Sequence, residues 1–533
     1  MYSSTHPQAR RWGRNLTVIA SALLLLVAVG CSAEDSLVGN SAASPNPGPP
    51  FNNGGGAEDG DFNNDQAEPP PQDPFVPETE ETFNFQAPRS SRNFVFVANT
   101  SLDTVAKIDA DTLEIVSIEA GDRPTLVQTD REENLAVVLN EGSDEVTIIR
   151  AGDGDDDYVR NMAITPSMNA LRLAPRADFA LAWFDFKRAQ EDDEFSLEDS
   201  APPLQDVSLI KLEEGQEIVY NLTVGFQVVD VFFDDDGAKA FIVTRTGISV
   251  VELDDIDGDR AVPPVPVVEQ QLEDDIEREV AITGDGRFAF VRTAGLEGLN
   301  IIDLDTRALT LVALADIPTD LDIVPGQNRA LAVMRGASQL ALIDLPTAID
   351  DPENIELIDL GEEPAGQAEL TPDASKALVF TSAEERLTIN VVDLQEATFE
   401  THPLRKGVRA VAVGPEGNTA VIFHTKQPGA PIPGEPEDDF IAKSFAYSLF
   451  DINTGYAKIE TIPTEAGEFV FSQATRRLYV LLDDEAQDVR QVEIINLDSF
   501  RTESLRLGSP PEHVGQLTND GEPRVYISQK HPV

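Results

Sequence analysis

The sequence predicts an all-β chain folded as a single β-propeller, and three observations predict it. A six-residue apolar strand motif recurs at intervals in the forties for most of the chain. Four short strand patterns fit inside each interval. Asp, Asn and Gly recur at the same junctions between them.

The recurring motif starts as Phe94-Val95-Phe96-Val97-Ala98-Asn99. It returns as LAVVLN from Leu135, FALAWF from Phe179, AFIVTR from Ala240, FAFVRT from Phe288 and ALAVMR from Ala330. It then continues as ALVFTS from Ala377, AVIFHT from Ala420, LYVLLD from Leu478 and VYISQK from Val525. Within one unit, Leu321 to Val324 reads as a first strand, Ala330 to Met334 as a second, Gln339 to Asp344 as a third and Ile355 to Ile358 as a fourth. Turns such as Asp236-Gly237, Gly284-Asp285-Gly286 and Pro415-Glu416-Gly417-Asn418 suit the tight reversal between first and second strands.

Third strands end on an acidic or amide residue, as at Asp109, Asp303, Asp393, Asp451 and Asn496. The expected role of these side chains is to accept backbone hydrogen bonds in the turn that follows, not to form a metal array. Together these patterns resemble the YVTN-type propeller repeat, most closely in FVFVANTSLDTVAKIDADTLEIVSIEAGDRP from Phe94 to Pro124. The resemblance implies four-stranded blades throughout residues 83–533. Third strands can be counted in nine units, while propellers usually have up to eight blades, so a single ring of eight or nine is expected. Phe83-Asn84-Phe85-Gln86 is expected to supply the first strand of the first blade. A C-terminal half-unit is expected to close the ring by pairing into a blade begun by the other end of the chain.

The N-terminus reads as an export signal. Arg10, Arg11 and Arg14 precede an apolar run from Leu16 to Val29, which leads into Ala28-Val29-Gly30-Cys31. The run is short for a bilayer span. This layout resembles the lipobox of bacterial lipoproteins, and Cys31 is the only cysteine in the chain. The resemblance implies a signal peptide over residues 1–31, an acyl anchor on Cys31 holding the chain to the membrane and, with Ser32 following, the outer membrane as its destination. A lone exported thiol has no intramolecular disulfide partner, so the fold is expected to stand without one.

Residues 32–82 are rich in Pro, Gly, Asn and acidic residues and lack hydrophobic periodicity, so they read as a disordered tether. At about 5–6 Å times the square root of residue number, such a tether holds the folded part on the order of 40 Å from its anchor.

Asp and Glu number 95 against 39 Lys and Arg, for a formal charge of −56, while 41% of residues are hydrophobic. That balance describes a globular protein with an acidic surface, and it argues against nucleic acid or anionic headgroups as direct partners.

Candidate chemistry is sparse. Asp255, Asp257 and Asp259, around Gly258, offer oxygen ligands for calcium, although the later bidentate Glu of an EF-hand loop is missing. His402, His424 and His513 have no metal-ligand spacing, and there is no haem motif, phosphate-binding loop or nucleophile elbow. No catalytic residue and no other cofactor is expected. The insertions from Asp185 to Gln205 and from Thr425 to Lys443 both join second to third strands, so they share one face and form a candidate binding surface. These features point to a non-enzymatic scaffold for an envelope protein or a glycan. The alternative is a lactonase-like hydrolase working in the central channel through polar residues of the first strands, His513 among them.

Overall fold

The computed structural model describes residues 27–28, 88–152, 156–190, 202–267, 278–363, 365–519 and 522–530. Cys31, the 32–82 segment and Phe83 to Gln86 lie outside them.

Second strands are apolar without alternation, and the structure buries them on both faces. Leu135–Asn140 and Phe179–Trp183 are covered along their whole length. Third strands are covered at their centres, as in Gln339–Asp344. Fourth strands alternate polar and apolar residues and lie half in solvent, as in Tyr158–Ala163. This gradient is what sheets stacked face to face around an axis require, because inner and middle strands touch a neighbouring sheet on either side.

Nine sheets follow in chain order: 89–119, 124–163, 170–223, 228–252, 278–313, 320–359, 367–403, 408–462 and 466–506, here blades one to nine. Each is an antiparallel meander. The unit near residue 320 has strands Asp320–Ile323, Arg329–Met334, Gln339–Asp344 and Glu356–Asp359, within two residues of the sequence reading. Apolar clusters join each blade to the next in an unbroken circuit. Phe94 and Val138 connect blades one and two, Leu331 and Val379 connect six and seven, and Phe423 and Val480 connect eight and nine. The circuit closes through the terminal hairpin Pro511–Asn519 and Glu522–Gln529. The hairpin packs against blade nine through Val525 and Ile527, and against blade one through Leu517 and Tyr526.

Closure differs from the expectation. The hairpin completes neither neighbouring blade but forms a tenth, narrow sector of its own. Its other strand is Val27–Ala28, within the stretch read as a signal, which pairs antiparallel with Val525 and Arg524. The first strand of blade one is Arg89–Ser90. Blade four is also irregular. After its third strand the chain crosses to the outer edge of blade three, where Arg260–Ala261 pairs in parallel with Leu222 and Thr223. It then returns to bridge Val265 to Ile248.

The third-strand acids act as expected. Asp109 Oδ1 accepts the amides of Asp111 and Thr112 at 2.8 and 2.7 Å, and Asp303, Asp393 and Asp451 each accept the amides two and three residues on. Burial alone would raise the Asp109 carboxyl, but donation from Thr112 and Asp111 holds it below its ordinary value. Each turn ends on a residue in the left-handed region, such as Leu113 or Ala397. Only blade eight requires glycine there. Gly455 has φ of 69°, and a Cβ would meet the His402 ring of blade seven at about 2.0 Å.

Candidate functional site

Two regions gather polar chemistry: the inner ring formed by the first strands, and the face that carries the long insertions.

The inner ring is polar at every seam between sectors. Ser90 Oγ donates to Gln516 O at 2.7 Å, and Thr129 Oγ1 donates to Ser90 O at 2.8 Å. Glu141 accepts from Thr125 at 2.7 Å and from Arg188 at 3.1 Å, which ties blade two to blade three. Arg172 pairs with Asp230 at 3.1 Å across the next seam. Arg278 donates to Arg245 O at 3.2 Å, and Arg292 donates to Pro318 O at 3.4 Å. Further round, Asp320 accepts the Ala368 amide at 2.7 Å, Glu369 accepts the Val413 amide, and Arg409 meets Glu465 at 3.1 Å. Finally His513 Nδ1 lies 2.7 Å from Glu468 Oε1, and the Val514 amide donates to Glu468 Oε2 at 3.1 Å.

Backbone irregularity helps place these groups. Five first strands carry a register shift near their start, between Pro124 and Leu126, Val228 and Asp230, Val408 and Ala410, Ala466 and Phe469, and Pro511 and His513. Thr125, in one such bulge, bonds Glu141 of its own blade, whereas Arg409 and Glu468, in others, make seam contacts. A bulge turns one side chain out of the pleat, here toward the adjoining sector. Burial drives the Glu369 carboxyl up to about 7. Burial also lowers the Arg89 guanidinium, which has Tyr526, Arg131 and Glu468 around it.

The three candidate histidines separate into different roles. His424 is buried, with Nδ1–H donating to Gly407 O at 3.1 Å and Nε2 accepting from Ser448 Oγ at 2.7 Å. Burial lowers it to about 4, so it is a neutral core group. His402 packs edge-on against Phe450. Only His513 faces a carboxylate in the inner ring.

The aspartates proposed for calcium follow the third strand of blade four. Asp255 ends a short 3-10 turn, Leu253–Asp255. Asp259 Oδ1 accepts the Asn221 amide at 2.8 Å, which helps dock this loop on the edge of blade three. Among the described residues, no three His, Cys, Asp or Glu side chains gather in a way that could hold a metal. The other acidic loop, near residue 152, is partly neutralised: Lys107 Nζ bonds Asp157 at 2.7 and 2.9 Å, with both side chains buried.

Both insertions emerge between second and third strands, on one face. The first begins with the helix Phe186–Gln190. The second carries the helix Glu437–Lys443, whose C-terminal end is fastened from below. Lys406, buried just before the first strand of blade eight, donates to Ile441 O, Ala442 O and Ser444 O at 2.7, 2.9 and 2.7 Å. Carbonyls at a helix C-terminus attract a cation, so the insertion is pinned rather than free. No sequence pattern announced Lys406; a lysine before a strand looks like surface until the helix above it is placed. Among the described residues, no helix is long and apolar enough to cross a membrane.

No protein-family profile matches the sequence, and no curated protein is detectably similar to it. Solved structures align with much of the chain at low identity. The dihydro-heme d1 dehydrogenase NirN in complex with DHE aligns over 70% of this chain and 73% of its own, at 15% identity and a TM-score of 0.41. Hydrazine synthase of Kuenenia stuttgartiensis aligns over 56% and 95%, at 14% identity and a TM-score of 0.34. A eukaryotic initiation factor aligns over 83% and 100%, at 10% identity and a TM-score of 0.48. Likeness at this level carries no argument; the antiparallel sheets and the closed circuit of apolar clusters between them show the architecture, and the chain folds as a β-propeller.

Proposed function

We propose that this chain is an exported lipoprotein, held to the outer membrane by a lipid on Cys31, whose YVTN-like propeller serves as a non-enzymatic binding scaffold for an envelope protein or a glycan. Removal of the signal before Cys31 takes Val27–Ala28 with it and leaves the terminal hairpin two-stranded. The observation that carries the reading is the distribution of polar groups in the inner ring. They are spread over ten seams and engaged in sector-to-sector contacts, whereas catalysis requires several groups converging on one reacting atom. The pinned insertion at 425–443 adds a rigid protrusion on the face shared with the other insertion, which suits recognition.

A hydrolase reading has one observation in its favour, the His513–Glu468 pair, which has the form of an oriented general base. The scaffold reading accounts for the same pair as a seam contact, because Glu468 also takes the Val514 amide.

The test is affinity recovery of the chain from crosslinked cells. A stoichiometric envelope partner, lost when both insertions are shortened, is the expected result. Recovery of the chain alone, together with esterase or lactonase turnover abolished by His513→Ala, would replace the scaffold with the hydrolase. Cys31→Ser is expected to move the protein from the membrane to the soluble fraction; unchanged partition would refute the anchor.

A further inference from the structure

On the insertion face, a groove of about 480 Å³ runs between the 425–443 insertion and the junction of blades eight and nine. Pro431, Phe440, Phe445 and Pro463 give it apolar walls, with Lys426 and Lys443 beside them and no Asp or Glu among its lining residues. In a chain with 95 acidic and 39 basic residues, that is an unusual place. Lys443 is paired with Glu435 at 2.7 Å. The Lys426 ammonium lies 5.0 Å from the Phe445 ring centre and donates to Gly429 O at 3.1 Å, with no carboxylate bonded to it among the described residues.

Topology brings a complementary segment to the same face. Each first strand runs from the insertion face toward the turn on the opposite face, and the chain enters the ring at the first strand of blade one, Arg89–Ser90. The residues preceding Pro88 therefore arrive on the side that carries the groove. Among them, Asp73-Pro74-Phe75-Val76-Pro77-Glu78-Thr79-Glu80-Glu81 joins an apolar pair between two prolines to four carboxylates, and no Lys or Arg occurs between Arg14 and Arg89.

We propose that residues 73–81 dock in this groove, with Phe75 and Val76 against its aromatic and proline walls and the carboxylates beside Lys426 and Lys443. Proline-flanked segments populate the extended polyproline form before binding, so they lose little entropy on docking in aromatic-lined grooves. Thirteen residues from Phe75 to Pro88 span roughly 40 Å at about 3.1 Å each, and from Pro88 the groove lies past the terminal hairpin and blade nine on the same face. Docking leaves residues 32–72 as the span between Cys31 and the ring. The contact is independent of the lipid anchor and of any partner's identity.

The experiment is amide hydrogen exchange on the full chain in detergent. Residues 73–83 are expected to exchange about ten-fold more slowly than in a free peptide of residues 70–84. Phe75→Ser, which lies outside the ring and leaves its folding alone, should restore the peptide rate and speed exchange at 427–434. Lys426→Glu should do the same with the melting temperature of the ring unchanged. Peptide-like exchange in the unaltered chain, or protection that survives both substitutions, would overturn the proposal.

Discussion

Replacing Glu369 by Gln removes one ionisable group from the inner ring and keeps its shape, so the Val413 amide retains an acceptor. Burial moves this carboxyl from 4.5 to about 7. A shift of that size corresponds to about 3 kcal/mol between the two protonation states. Part of the Glu369 surface stays open, and water there relieves some of the penalty, leaving about 1–2 kcal/mol. The folded state binds this proton more tightly than the unfolded state. Below pH 4.5 both states are protonated and the site costs nothing. Between pH 4.5 and about 7 the unfolded chain releases its proton first, and stability falls as pH rises; above pH 7 the full penalty applies. Glu369→Gln should therefore match the parent at pH 4 and melt roughly 1–3 °C higher at pH 8. Melting curves of both proteins from pH 4 to 8.5 test this. A variant less stable at pH 8, or a difference that does not change with pH, would refute the buried-carboxyl argument.

Lys406→Met should leave three carbonyls at the end of the Glu437–Lys443 helix without their donor, at a local cost of about 3 kcal/mol; limited proteolysis should then cut within 425–443 several-fold faster. Lys107→Met or Asp157→Asn strands one member of a buried ion pair and should cost about 3–5 kcal/mol, whereas the double change Lys107→Met with Asp157→Leu should cost less than either alone; denaturant midpoints of the three variants decide it. Because Asp259 is spent on the Asn221 amide and no acidic triad is gathered among the described residues, excess chelator should leave the melting temperature unchanged, and a drop of several degrees would reveal a calcium site.

Much of the blade could be read from the sequence because its determinants are local. A continuous apolar run such as Phe179–Trp183 says that both faces are covered. Asp109, followed two and three residues later by amides it can reach, says that a turn follows the third strand. The candidate site was legible mainly by elimination, through the scarcity of histidine and the lack of catalytic motifs. His402, His424 and His513 looked alike in one dimension; only their neighbours separate a packed ring, a neutral buried group and a partner for Glu468.

The sequence by itself determined the strand periods, the turns and the two insertions, since each depends on residues a few positions apart. Tertiary structure alone decided how the ring closes, which seam each polar residue spans and where the insertion is pinned. Those outcomes depend on contacts between groups tens to hundreds of residues apart, such as Ser90 with Gln516, and on bulges that turn Glu468 and Arg409 toward the adjoining sector. Nothing local records them, because the energy of a seam exists only when both of its sheets are in place.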